Sequence, residues 1–102
     1  MTTLPIVDGP NRDRLIDAFK YAYDQAATVV VSFTVLARSV NGLLIMEEIK
    51  NATITAIQYN NSSECFIVFG FMPNTYNVGV PNLRLQFKAF YNTKDRKGTI
   101  TF

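Results

Sequence analysis

Seven consecutive residues, Cys65-Phe66-Ile67-Val68-Phe69-Gly70-Phe71, carry no charged, amide or hydroxyl side chain. Alternate residues of a strand point to opposite faces, so this segment predicts a strand that wants apolar cover on both sides. Pro73 ends it. The rest of the chain must supply that cover, and a small sheet with one helix over it covers only one face. A second copy is the simplest source for the other face.

Residues 28–37 are rich in β-branched side chains. Their odd positions Val29, Val31, Phe33, Val35 and Ala37 are all apolar, against a mixed even set, which predicts a long strand with its odd face on the core. Asn41-Gly42 then predicts a two-residue hairpin turn, with Val40 facing Leu43. The return segment is irregular: Leu44 and Met46 share one parity, Ile45 and Ile49 the other. A bulge or break near Lys50-Asn51 reconciles it. Thr53 to Tyr59 continues that strand or forms another, ending at the turn Asn60-Asn61-Ser62-Ser63. Residues 74–82 read as a loop. Leu83, Leu85, Phe87 and Ala89 alternate with Arg84, Gln86 and Lys88, a strand with one wet face, and 99–102 return as a short strand after a charged turn.

Ahead of these strands, Leu4-Pro5-Ile6-Val7 predicts a short edge strand or extended lead-in, because its proline lacks a ladder donor. Asp8-Gly9-Pro10 predicts a helix start. Leu15, Ile16, Phe19, Ala22 and Tyr23 form one apolar stripe of a helix running to about Asp24. The fold class expected is therefore α+β, a single domain over residues 1–102. One N-terminal helix packs across a curved antiparallel sheet of about four to six strands, an α+β roll or open half-barrel. Small cystatin-like rolls share this order of elements. The segment Gln25-Ala26-Ala27-Thr28-Val29 has no glycine where the cystatin inhibitory hairpin needs one, and the chain has no Trp, so no family is assigned.

The 102 residues are 48% apolar, enough for one core without staples. There is no histidine and one cysteine, which excludes an internal disulfide, a thiolate zinc cage and a CxxC pair. The glycines are too scattered for a phosphate-binding loop, so no nucleotide is expected. Asp13 and Asp17, one helical turn apart, read as a solvated face rather than an oxygen-ligand cluster, so no cofactor or metal is expected. A Ser or Cys nucleophile lacks a motif-placed base. Glu47 and Glu48 are adjacent and point to opposite faces of any strand, so they cannot share one proton-transfer site. Cys65 reads as a buried, unreactive thiol. With no signal-peptide pattern and no apolar run near the roughly 18 residues that cross a bilayer, a cytoplasmic location away from membranes is the expectation.

Charge is uneven along the chain. Residues 83–102 carry Arg84, Lys88, Lys94, Arg96 and Lys97 against Asp95, a net +4, whereas residues 1–82 hold five bases and seven acids, a net −2. Arg84, Lys88, Arg96 and Lys97, with Phe90 and Tyr91 among them, are candidate nucleic-acid contacts. Phe69, Phe71, Tyr76 and Tyr91 are candidates for lining a small apolar ligand site. The function expected is a non-enzymatic interaction or ligand-binding module that self-associates through its sheet as a homo-oligomer. Two alternatives stand beside it: weak nucleic-acid binding by the basic C-terminal hairpin, and an acid–base enzyme with Asp or Glu beside Tyr in an apolar pocket, which requires a buried carboxyl group.

Overall fold

The computed structural model describes residues 2–7, 12–38, 41–73 and 84–102. The elements are β1 (Thr3–Ile6), α1 (Arg12–Gln25), β2 (Val29–Arg38), β3 (Leu44–Asn60), β4 (Cys65–Pro73), β5 (Arg84–Asn92) and β6 (Lys97–Thr101). Each strand is antiparallel to the next, and β6 returns to β1 with Leu4 opposite Ile100 and Ile6 opposite Gly98. The α+β composition and antiparallel sheet are as expected; the expected roll or open half-barrel is instead a closed one. The sheet closes into a six-stranded barrel with its inner face filled.

The interior follows the alternation read from sequence. Val31, Phe33, Val35 and Ala37 of β2, and Phe87 and Ala89 of β5, are buried, with Phe66, Val68 and Met72 of β4 and Ile100 of β6. Helix α1 covers this core: Leu15, Phe19 and Ala22 are buried, and the Phe19 ring lies 6.0, 5.7 and 5.9 Å from those of Phe33, Phe66 and Tyr91. The helix ends one residue beyond the expected position, and Ala26 takes a left-handed conformation (φ 49°) where a glycine is usual. The expected helix start at Asp8-Gly9-Pro10, the loop 74–82 and the inward Leu83 lie outside the described residues.

Strand β3 explains the irregular pattern. Between the pairs Val31–Ala52 and Phe33–Ile49, Ser32 alone faces both Lys50 and Asn51, and Asn51 sits at φ 61°. This is the bulge expected there. Thr55 is a second extra residue, between Ile54–Gly70 and Ala56–Phe69, and its hydroxyl donates to the Phe69 carbonyl at 3.4 Å. Each bulge switches the parity of the inner face, from Ile49 to Ala52 and Ile54, then to half-buried Ile57 and Tyr59. Bulges also add twist and bend, which is how a long strand serves a closed barrel.

The Asn41-Gly42 region turns, with Gly42 at φ 78°, but the expected two-residue register is not formed. Arg38 faces Leu44 and Phe33 faces Ile49. A two-residue turn at Asn41-Gly42 would have put Lys50 opposite Phe33 on the core face; the one-residue shift puts Ile49 there instead. Burial outweighs local turn preference. Val40 lies outside the described residues.

Strand β1 sits between β2 and β6, yet shares only the pair Ile6–Val35 with β2. Thr2 and Phe102 exchange both backbone bonds, so by antiparallel alternation Pro5 turns its nitrogen toward β2. With no donor there, the proline stands at the least-paired seam of the barrel, in keeping with its edge character.

Candidate functional site

Facing residues of neighbouring strands project to the same side of the sheet. On the outside of the barrel, Ile67 faces Phe90, Phe69 faces Lys88, Phe71 faces Gln86 and Pro73 faces Arg84. Across β5, Phe90 faces Thr99, Lys88 faces Thr101 and Asn92 faces Lys97. One wall thus gathers aromatic rings, amides, hydroxyls and cations. The Lys88 ammonium lies 5.5 Å from the Phe69 ring centroid and 5.0 Å from that of Phe90, a cation held over two rings. A shallow cavity of about 510 Å³ opens beside them, lined in part by Thr55, Phe69, Phe71, Gln86, Lys88 and Thr101.

The candidate ligand residues do not converge on one pocket. Phe69 and Phe71 are half-buried on the outer wall, whereas Tyr91 points inward, 2% exposed and packed on Phe19. The sheet itself separates them. Tyr76 lies outside the described residues. Of the basic candidates, Arg84, Lys88 and Lys97 share the wall, while Arg96 occupies the β5–β6 turn at φ 55°. Cys65, expected buried, is half-exposed at the end of the same wall. The strand reading anticipated a double-sided apolar β4 correctly, but its outer face is a surface in this chain: Cys65, Ile67, Phe69 and Phe71 are all partly exposed.

Phe90, 39% exposed, completes the wall. Its signal was in the sequence: if Leu85, Phe87 and Ala89 point inward, strict alternation sends Phe90 outward. The turns at one end of the wall are built alike. Asn60 Oδ1 accepts from the backbone of Ser62 (2.9 Å) and Ser63 (3.2 Å), and Asn92 Oδ1 from Lys94 (2.9 Å) and Asp95 (2.8 Å). Each turn closes on a left-handed residue, Glu64 or Arg96. The Asn92 amide donates to the Ser63 carbonyl at 3.0 Å, and the Thr93 backbone N–H to that of Glu64 at 2.9 Å, clamping the two turns together.

A second surface was not anticipated. Where β2 and β3 run toward their turn, Leu43, Leu44, Ile45 and Met46 are 67%, 63%, 45% and 63% exposed. Among the described residues β4 pairs with β3 only from Thr53 onward, so this ribbon runs past the paired wall. Between it and β1 lies a cavity of about 560 Å³ lined in part by Leu4, Pro5, Leu36, Leu44, Glu47 and Phe102.

Seven of the eight carboxylates are among the described residues, and all seven are exposed. None of them supplies the buried acid that an acid–base site requires. Among the described residues no three His, Cys, Asp or Glu side chains are grouped to hold a metal ion, and no helix is long and apolar enough to cross a membrane. Comparison of the chain with protein-family models, with curated proteins and with solved structures found no match.

Proposed function

We propose that this chain is a non-enzymatic interaction module that associates with further copies of itself. One observation carries the reading: four consecutive large apolar side chains, Leu43 to Met46, stand in solvent at the end of the β2–β3 ribbon. Burying each of them further is worth roughly 1–2 kcal/mol. Leu44 and Met46 share one face of the strand, so four such side chains from two copies contribute roughly 4–8 kcal/mol against an association cost of about 4–15 kcal/mol, and a weak dimer is the expected outcome.

The ribbon suits self-association better than the β4–β5 wall. Two copies meeting through that wall would bury Lys88 and Arg84, and its outward positions on β4, β5 and β6 include no carboxylate to receive them. An unmatched buried cation costs several kcal/mol. Multi-angle light scattering over a concentration series tests the reading. The expected result is a molar mass rising above that of one chain with concentration, and a single-chain mass at every concentration for the paired substitution Leu44→Ser and Met46→Ser. A parent chain that stays monomeric at millimolar concentration overturns it.

A further inference from the structure

We infer that the outer wall of β4, β5 and β6 is a binding surface for single-stranded nucleic acid. The inference concerns a different face from the ribbon and stands independently of self-association. Three kinds of group needed for such a ligand occur there in alternation. Phe69, Phe71 and Phe90 offer apolar ring surface, partly exposed, on adjacent strands. Arg84, Lys88 and Lys97 place positive charge at one end, the middle and the other end of the same face. Gln86, Thr99 and Thr101 add hydrogen-bonding groups at outward positions of β5 and β6. No carboxylate occupies an outward strand position there; Glu64 and Asp95 stand only in the turns at one end.

The spacing suits a strand of nucleotides. Eight residue steps from Arg84 to Asn92, which faces Lys97, extend roughly 27 Å at the rise of a β-strand. That length accommodates on the order of four nucleotides of an extended chain, within the site sizes of about 4–16 found for small single-strand-binding barrels. Lys88 gives the wall a two-state element. In the free protein its ammonium rests over the Phe69 and Phe90 rings. A phosphate draws the ammonium away and leaves the ring faces to bases, so charge neutralisation and stacking occur together. A duplex keeps its bases stacked inside and cannot use the rings, so preference for a single strand is the signature that separates this site from general attraction to phosphate.

Fluorescence anisotropy with a labelled ten-thymidine oligodeoxynucleotide, at 50 mM salt and upward, tests the inference. The parent chain is expected to bind with a salt-dependent constant and to prefer the oligonucleotide over a duplex of the same length at least tenfold. Phe90→Ala should weaken binding about 5- to 150-fold, the effect of losing one stacked base. Lys88→Gln should weaken it and lower the slope of log K against log salt by about 0.7. Both substitutions are on the surface, and an unchanged melting curve verifies that the fold is intact. A third variant, Lys97→Gln, should lower the salt slope without altering β4 or β5. Absence of binding by the parent at 50 mM salt, equal affinity for duplex and single strand, or binding indifferent to both Phe90→Ala and Lys88→Gln overturns the inference.

Discussion

Among the described residues four that are not glycine, Ala26, Asn51, Glu64 and Arg96, adopt left-handed backbone conformations with φ between 49° and 61°. Asn tolerates this conformation; for the others it costs on the order of 1 kcal/mol relative to glycine. Ala26→Gly and Glu64→Gly are therefore expected to raise stability by about 0.5–1 kcal/mol each, seen as a higher urea midpoint with an unchanged slope. A lower midpoint for both would contradict the assigned turn geometry. Gly70 behaves in the opposite way. A Cβ there runs into the Thr53 carbonyl oxygen, backbone that cannot swing aside, so Gly70→Ala should destabilise by about 2–3 kcal/mol or prevent folding. Phe19 is fully buried against three rings, and Phe19→Ala should cost about 3–5 kcal/mol by the same measurement.

At the scale of elements, β3 shows what a sequence makes legible. The bulge at Lys50-Asn51 could be read because strongly apolar residues, Ile45, Ile49 and Met46, fall on conflicting parities, and Asn51 suits a left-handed position. The bulge at Thr55 could not, since Thr53, Thr55, Ala52 and Ala56 differ too little in polarity to mark a face. The Asn41-Gly42 turn misleads in the other direction: a strong local signal gives way to a register that buries Ile49. Deleting Thr55 tests the assignment. Thr55 is the extra residue, so its deletion joins Ile54 to Ala56 in plain alternation opposite Gly70 and Phe69 and should be tolerated. Deletion of the paired Gln58 instead turns Tyr59 away from its contact with Phe66 at 4.8 Å and should lower the melting temperature by more than 10 °C. Thr55→Ala keeps the residue count and should change it by only a few degrees.

At the scale of the molecule, the helix, the strands and most inward residues were legible, but closure was not. Closure depends on Thr3 lying beside Thr101, their hydroxyls 3.1 Å apart, and no periodicity reveals a pairing between the two ends of a chain. The same gap hid how the candidate residues group into surfaces: Arg84, Lys88 and Lys97 were named from sequence and share the outer wall. Phe69 and Phe71 read from sequence as neighbours of Tyr91, whereas the sheet sends them to opposite sides, and the exposure of Leu43 to Met46 follows from where the barrel wall stops. The central claim is that the barrel is a filled scaffold whose outside does the work. Backbone amide shift mapping by NMR tests it most directly, first across a dilution series and then with the ten-thymidine strand. Dilution should move the amides of residues 43–46, and the oligonucleotide those of 67–71, 86–90 and 97–101, while α1 stays unchanged in both. Shifts concentrated in α1 and the inward residues packed on it, with the outer wall and the ribbon silent, would contradict the account.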